Sequence, residues 1–345
     1  MRTELFHLLV IPSLAPHPVQ TNRQAPRHRD FGDLPPPAHH QKDGNLYGIT
    51  DSGGQDNGGT AFELSQSGGV WTETILHAFG SSGDGQFPLA ALAMDSAGNL
   101  YGTTSGGGLN GNGTVFEITR SGGVWTETVI YEFQYDYNGQ RDGASPSAGV
   151  TFDKAGKLYG TTTGGGAGTG CSSGCGTVYR LTHSKSGWKE SVLHSFQGGK
   201  GGSYPVAGVT LIDGKFWGTT SFGGSGSCNL NLLTGCGTIF SLEQSSNKWV
   251  VPPFSLKGKN GSLPQPGVVA DKKGALFGTT LYGGTGSCTD NLPGCGVVYK
   301  LVRRITQKLY FSPNCMVLDR CASTGCRNEP PARQLASPAE LFGPP

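Results

Sequence analysis

The sequence predicts an all-β protein, a β-propeller of about five four-stranded blades. Glycine supplies 58 of the 345 residues, about twice its usual share, and Pro, Asn, Asp and Ser cluster beside it, as in proteins with many short strands and turns. One five-residue block recurs at intervals of 54, 58, 58 and 60 residues, which indicates an internal repeat. A unit of this size cannot bury both faces alone, so neighbouring units are expected to stack. A β-solenoid and an incomplete propeller are the alternatives.

The recurring block predicts a strand that ends in a threonine pair. Its five copies occupy residues 46–50, 100–104, 158–162, 216–220 and 276–280. The threonines are interpreted as strand-forming residues only. The aromatic at the second position, for example Tyr101, is expected to pack between neighbouring sheets rather than to stack on a sugar.

A second block, of the form Gly-Thr-x-aromatic, follows each copy and predicts the next strand. An aliphatic residue stands two positions after the aromatic, and a polar residue stands between them. Because side chains alternate along a strand, these polar positions are expected to face water. They are Glu63, Glu117, Arg180, Ser241 and Lys300.

A third block begins at Trp71, Trp125 and Trp188, and strict alternation places His77 on the same face as Trp71. Its fourth copy contains Pro252-Pro253. Proline donates no backbone hydrogen bond, so this block is predicted to be the edge strand of each sheet.

The domain boundaries follow from the repeats. Residues 1–40 are expected to be a degraded signal peptide or a disordered segment, 41–312 the repeat domain, and 313–345 a tail. Residues 305–311 are a candidate for the last outer strand. Residues 315–319 resemble 91–95 and are expected to close the ring beside 46–50, or else to be disordered with the rest of the tail.

The repeated pattern of Leu-Tyr-Gly-Thr-Thr, a Gly-rich loop, Gly-Thr-Val-Phe, and then Phe with Asp-Gly and Pro-x-Ala-Gly resembles the Gloeo/Verruco tandem repeat of bacterial proteins. The resemblance covers residues 44–301. It implies an extracytoplasmic repeat domain of unassigned role, and it offers no catalytic residues to carry over.

Charge and composition exclude several classes of function. The 26 Lys and Arg residues nearly balance the 24 Asp and Glu residues, without a basic stripe, so a nucleic-acid partner is not expected. No apolar run is long enough to span a bilayer. The glycine strings lack the Lys-Ser/Thr of a phosphate loop, and no cofactor is expected.

Six cysteines fall in pairs within one type of loop, between the first and second blocks. The pairs are Cys171 with Cys175, Cys228 with Cys236, and Cys288 with Cys295. Disulfides that staple these longer loops are expected, and they indicate a secreted or cell-surface protein. No histidine lies in these loops, so no metal site is expected there.

Candidate functional residues are few. His77 and His194 are expected to pack with a hydrogen-bonded tip, and the aspartates Asp95, Asp153, Asp213 and Asp271 to form Asx turns rather than a catalytic ring. An insertion in the 134–145 loop breaks the repeat and is the best candidate for contacting a ligand. Its candidate binding residues are Tyr135, Asp136, Tyr137, Arg141 and Asp142.

The sequence therefore favours a non-enzymatic extracytoplasmic domain that presents loops for binding a glycan, a protein or matrix material. The alternative is a hydrolase or lyase that acts on polysaccharide, with carboxylates around a central channel.

Overall fold

The protein is all-β, with 50% of its described residues in strands and 1% in helices. The computed structural model describes residues 39–40, 44–135, 142–230, 233–245, 248–250, 253–284, 294–303, 309–311 and 316–317. The helical part is a short 3-10 turn, Gly199–Gly201. No helix within these ranges has the length and apolar character needed to cross a bilayer.

Five antiparallel sheets follow one another along the chain, and each repeats the same strand order, here called leading, second, third and outer. The first sheet contains His39–His40, Leu46–Thr50, Thr60–Ser67 and Val70–Ala78. The second contains Ala93–Met94, Leu100–Thr104, Thr114–Ser121 and Val124–Glu132. The third contains Thr151–Phe152, Leu158–Thr162, Thr177–Ser184 and Gly187–Ser195.

The fourth and fifth sheets divide the outer strand into two segments. The fourth contains Thr210–Ile212, Lys215–Thr220, Thr238–Ser245, Lys248–Val250 and Pro253–Ser255. The fifth contains Val269–Ala270, Leu276–Thr279, Val297–Arg303, Leu309–Phe311 and Met316–Val317. The Trp-led block lies at the sheet edge, as its prolines predicted.

The loops contain three two-stranded ribbons, two that join separate loops and one hairpin within a single loop. They pair Gly85–Gln86 with Gly106–Gly107, Gly143–Ala144 with Gly164–Gly165, and Asn229–Leu230 with Leu233–Thr234.

The ends of the repeat region differ from the expected closure. His39–His40 pair with Tyr47 and Leu46 and form the leading strand of the first sheet. The sequence predicts residues 315–319 at this strand position instead. Met316–Val317 pair instead with Val298 and Val297. This edge is open to them because Leu309–Phe311 cover only the other end of the same third strand.

Each sheet packs face to face on the next. Four buried cores join the first sheet to the second, the second to the third, the third to the fourth and the fourth to the fifth. The stack is β-propeller-like. None of these cores joins the fifth sheet to the first within the described residues, so a closed ring of five blades stays a prediction.

The expectation that the polar position of the third strand faces water is wrong for part of the series. Glu63 is 7% exposed and Ser241 is 3% exposed. Both faces of a sheet are covered when sheets stack in series, so this position is enclosed as well. Glu63 is satisfied by hydrogen bonds of 2.8 Å each from the Tyr47 hydroxyl and the Asn45 amide.

The glycine of each second strand makes room for an aromatic ring on the third strand. A Cβ atom at Gly48 would lie 2.5 Å from the ring of Phe62, and one at Gly218 would lie 2.5 Å from the ring of Phe240. No real side chain tolerates such a contact, so the Tyr-Gly-Thr sequence and the Gly-Thr-x-aromatic sequence depend on each other.

The threonine pairs do more than form strands. The first threonine of the pair donates across sheets to a backbone carbonyl just before the leading strand of the next sheet. These bonds run from Thr103 to Ala148 at 2.9 Å, from Thr161 to Ala207 at 2.9 Å, and from Thr219 to Pro266 at 3.2 Å. The second threonine of the pair contacts the threonine that opens the third strand, as Thr162 does with Thr177 at 2.8 Å.

Small residues allow these segments to approach one another closely. A Cβ atom at Gly149 would lie 2.7 Å from the carbonyl oxygen of Ala91, and one at Gly208 would lie 3.0 Å from the carbonyl oxygen of Gly149. The leading edges of successive sheets are therefore nearly in backbone contact, whereas whole tryptophan side chains fit between the outer strands. Such wedge-shaped spacing is typical of sheets arranged around an axis.

We expect the substitution Thr161→Val to destabilise the protein by about 1–3 kcal/mol, because it leaves the carbonyl of Ala207 without its donor at a site where Thr161 is fully buried. The matched control is Thr126→Val, an exposed threonine on an outer strand, which should change stability by less than about 0.5 kcal/mol. Urea unfolding measures both. Equal effects at the two positions would contradict a structural role for the cross-sheet bond.

Candidate active site

A cluster of three ionisable side chains lies between the first and second sheets. It consists of His77 and Asp84 from the first repeat and Glu127 from the second, and it is called the first acidic cluster here. One ligating atom from each residue lies within 4.8 Å of the others. No other residue set in the described part of the chain brings three such groups of His, Cys, Asp or Glu so close together.

A β-bulge turns His77 toward this cluster. The pairing of the third and outer strands shifts register so that Ala61 faces His77 while Phe62 faces Ile75, which leaves Leu76 as the extra residue. The bulge reverses the alternation of faces. Ile75 is therefore 51% exposed, and Phe79 is buried against the second sheet. The expectation that Trp71 and His77 share a face is wrong for this reason.

Glu127 reaches the cluster from the outer strand of the second sheet. Trp125 packs into the core between the first two sheets, and Glu127 follows two residues later on the same face. Its Oε1 atom is buried and has no hydrogen-bond partner among the described residues. Burial and the charge of Asp84 raise the pKa of Glu127 to about 7, although His77 opposes the shift.

Asp84 lies in the loop after the outer strand and is held by three donors. Its Oδ2 atom is 2.9 Å from His77 Nε2 and accepts from the Gly80 amide at 3.2 Å, while Oδ1 accepts from the Gly85 amide at 2.6 Å. These bonds fix the orientation of the Asp84 carboxyl group. Burial alone would lower the pKa of His77, but the hydrogen bond and the charges of Asp84 and Glu127 raise it.

The two carboxyl groups of this cluster therefore differ in environment. The pKa of Glu127 is raised to about 7, whereas three donors orient Asp84. One acid and one carboxylate within a few ångströms can transfer a proton and attack or activate water at the same centre. A histidine nitrogen and two carboxylate oxygens are also suitable ligands for a divalent cation.

The same arrangement recurs between the second and third sheets, with tyrosine in place of histidine. Asp142 accepts from the Tyr131 hydroxyl at 2.9 Å and from the amides of Gln134 and Gly143, each at 2.7 Å. Burial and the charge of Asp142 raise the pKa of Glu190 to about 8, and Arg180 opposes the shift. Tyr131, Asp142 and Glu190 are called the second acidic cluster.

The remaining repeats lack the cluster. Gly201 stands where Asp84 and Asp142 stand, so burial lowers the pKa of His194 to about 4 without a carboxylate to oppose it. Glu73 occupies the position of Glu127 on the first sheet, but it is exposed, and within the described residues no preceding sheet covers it.

The candidate binding loop is only partly described. Asp136, Tyr137 and Arg141 lie outside the described residues. The carbonyl of Tyr135 accepts a 2.8 Å hydrogen bond from Asn112, and Asp142 belongs to the second acidic cluster. Ligand binding by this loop stays a prediction.

Three of the aspartates that follow the leading strands form the predicted Asx turns. Asp95, Asp153 and Asp271 each accept two backbone N–H groups through Oδ1. The aromatics of the second strands pack between sheets, as Tyr101 does with Phe152 at a centroid distance of 5.1 Å.

Two of the three predicted disulfides are present, Cys171–Cys175 and Cys228–Cys236. Cys295 is disulfide-bonded too, and Cys288, its expected partner, lies outside the described residues.

The sequence profile of the Gloeobacter/Verrucomicrobia repeat matches residues 24–232 and 133–312. The chain belongs to the Gloeobacter/Verrucomicrobia repeat family. The resemblance found in the repeated blocks is thus confirmed over most of the chain. No curated protein matches the sequence.

Solved structures that resemble the chain include three enzymes. A beta-fructofuranosidase of Bombyx mori is 14% identical, with 80% of this chain and 61% of that chain covered and a TM-score of 0.41. A Hadza microbial sialidase is 11% identical, with 84% and 58% covered and a TM-score of 0.45. An alpha-L-arabinofuranosidase of Clostridium thermocellum is 13% identical, with 81% and 93% covered and a TM-score of 0.40.

This comparison contradicts the expectation of a non-enzymatic binding domain, because the three structures named above are glycoside hydrolases. Likeness at this level concerns the fold only, and an activity of this chain has to come from its own side chains. The chain spans less than two thirds of the length of the Bombyx and Hadza enzymes.

The acidic clusters predict that stability falls from about pH 4.5 to about pH 8, most steeply above pH 6.5, where His194 no longer opposes the fall. Glu127 and Glu190 bind their protons more tightly in the folded chain than in the unfolded chain, where their pKa is the usual 4.5. The stability they contribute is therefore lost as pH rises from 4.5 through their folded pKa values of about 7 for Glu127 and about 8 for Glu190. The raised pKa of His77 acts in the same direction. His194 acts oppositely, but only up to its usual value of 6.5.

The melting temperature, recorded from pH 5 to 9, should therefore decline by a few degrees above pH 6.5, with solvent screening limiting the size of the effect. The double variant Glu127→Gln and Glu190→Gln should flatten the decline, and Glu73→Gln should leave it unchanged. A decline that persists in the double variant would show that other groups cause it.

Proposed function

We propose that the chain is a glycan-acting hydrolase on a β-propeller-like scaffold, with Asp84 and Glu127 as its carboxyl pair. The observation that supports this most is the difference in environment between two carboxyl groups that adjacent sheets bring together. Glu127 has a raised pKa and a buried oxygen without a partner, whereas three donors stabilise the charge of Asp84. Environments that push two carboxyl groups apart in this way define acid and base roles.

In the proposed reaction Glu127 donates its proton to the glycosidic oxygen as the bond to the anomeric carbon breaks. Asp84 attacks that carbon and forms a covalent glycosyl ester. Glu127, now ionised, removes a proton from water, which cleaves the ester and returns Asp84 as a carboxylate. The spacing within 4.8 Å supports this two-step course, because enzymes that invert the anomeric centre hold their carboxyl groups about 6.5–9.5 Å apart.

His77 is assigned as a positioning residue. It fixes Asp84 Oδ2 through the 2.9 Å contact and favours the carboxylate form. The His77 side chain is 24% exposed and that of Asp84 is 8% exposed, so the pair is largely shielded from water while its histidine edge stays open.

The activity is tested by incubating the purified full chain with a panel of aryl glycosides and neutral oligosaccharides and measuring released reducing ends. Asp84→Asn and Glu127→Gln should each lower turnover by at least about 100-fold, without a comparable loss of melting temperature. Glu73→Gln is the matched control and should retain full turnover, because it changes the same strand position where no carboxylate faces it.

Two results would overturn the assignment. Wild-type protein that releases no product from any substrate would contradict the hydrolase. Turnover that is lost in Asp142→Asn and Glu190→Gln but kept in Asp84→Asn would move the reaction to the second acidic cluster.

We further propose that the protein works in an extracytoplasmic, oxidising compartment. The disulfides Cys171–Cys175 and Cys228–Cys236 support this, because such bonds persist where thiols are not kept reduced. Closing these short loops stabilises the fold by about 2 kcal/mol each in the loop-entropy account.

Alkylation followed by peptide mass analysis checks the compartment, with protein recovered directly from its native host in the presence of alkylating agent. The loop cysteines should be modified only after a reductant is added. A variant with Cys171→Ser and Cys175→Ser is the control for assigning peptides. Modification of Cys171 and Cys228 without reductant would indicate a reducing compartment.

A further inference from the structure

A cavity of about 260 Å³ lies between the cysteine loops of the third and fourth sheets. It is separate from the two acidic clusters, which lie between earlier sheets of the stack. Its described lining includes Cys171, Ser172, Ser203, Tyr204, Phe222 and Thr234. Glycine backbone at 170 and 198–199 completes the wall.

The aromatic pair in this cavity breaks the repeat. Tyr204 and Phe222 lie with ring centroids 6.0 Å apart and ring planes at 87°. Phe87, Ser145 and Leu263 occupy the position equivalent to Tyr204 in the other repeats, and all four residues precede a proline and have a positive φ. On the facing loop segment, the position of Phe222 is occupied by Gly106, Gly164 and Tyr282 in those repeats. Two facing aromatics occur at this place only between the third and fourth sheets in the described repeats.

The cavity wall is fixed by covalent and backbone bonds. The disulfide Cys171–Cys175 closes one loop, and the Tyr204 amide donates to the carbonyl of Cys175 at 2.9 Å. The Ser221 amide donates to the Tyr204 carbonyl at 3.0 Å, and the Gly223 amide donates to the Thr234 carbonyl at 2.9 Å. Tyr204 therefore keeps its position without a ligand, so a ligand meets a preformed site.

The lining chemistry selects a neutral ligand rich in hydroxyl groups. Three side-chain hydroxyls, from Ser172, Ser203 and Thr234, stand around the two aromatic rings, and none of the described lining residues carries a charge. Ring faces attract the C–H surface of a sugar, and hydroxyls pair with its polar edge. The volume lies just below the range of about 300–1,000 Å³ found for pockets of drug-sized ligands, which is suited to a single ring.

We propose that this cavity is a carbohydrate-binding site that holds one ring of a neutral oligosaccharide, with Tyr204 and Phe222 as its aromatic contacts. The proposal does not rest on the hydrolase assignment, since the site contains no carboxyl group and takes no part in bond cleavage.

The test is a titration of the double variant Asp84→Asn and Asp142→Asn, which removes the aspartate of both acidic clusters, and the probe is checked for intactness after each titration. The probes are cellotetraose, xylotetraose and arabinotetraose, with tetragalacturonate as the charged comparison, and calorimetry or ligand-observed NMR measures binding. We expect at least one neutral probe to bind and the charged one to bind at least tenfold more weakly.

The variants Tyr204→Ser and Phe222→Ala should each weaken that binding by about tenfold, the size expected from losing one aromatic contact. Tyr204→Ser introduces the residue that Ser145 already supplies at the same backbone conformation, so it should fold. Phe87→Ser is the matched control, because it makes the same change at the equivalent position opposite Gly106, and binding should be unchanged.

No binding of any neutral probe, or equal binding by wild-type and both variants, would overturn the proposal. If a variant fails to fold, saturation-transfer NMR on the protein with Tyr204 and Phe222 intact decides: transfer from aromatic protons to the sugar supports the site, and its absence overturns it.

Discussion

The stack of sheets depends on a hydrogen bond that crosses from the second, third and fourth sheets, each to the next. Thr103, Thr161 and Thr219 donate to carbonyl groups just before the next leading strand. Each bond joins a strand centre to a neighbouring backbone, so it fixes both the distance and the register between sheets. Glycine or alanine at the facing positions permits that distance, because a larger side chain would collide with the neighbouring carbonyl.

The first repeat lacks the threonine that donates this cross-sheet hydrogen bond. Ile49 stands in place of the donor threonine and contributes to the core between the first two sheets instead. The contact between the first and second sheets therefore lacks the directed threonine bond, while the later contacts combine packing with it. Buried hydrogen bonds of this kind add specificity of arrangement, since an unpaired carbonyl in the same place would carry a desolvation penalty.

Stacking also creates the acidic clusters. A sheet face covered by its neighbour has to enclose polar side chains that would otherwise face water, and Glu63, Glu127 and Glu190 are enclosed in this way. Glu63 finds two donors, whereas Glu127 and Glu190 each keep one buried oxygen without a partner among the described residues. The resulting high pKa values follow from the architecture, and the charge of a neighbouring Asp84 or Asp142 adds to them.

Most of the strand order was readable from the repeated blocks, because period-two alternation and glycine turns are local properties. The edge position of the proline-bearing block and the loop disulfides were readable for the same reason. Asp84 and Glu127 were not, since neither stands out in its own segment. The available signal was the recurrence of Asp-Gly at 84–85 and 142–143 together with glutamates in one register at 127 and 190.

The sequence by itself determined the all-β class, the repeat, the four-strand unit and the stapled loops, because each depends on residues close together in the chain. Tertiary structure decided which faces are covered, where a bulge turns His77, and which carboxyl groups meet. Those outcomes depend on contacts between sheets, and a contact between residues of different repeats leaves no local pattern in either one.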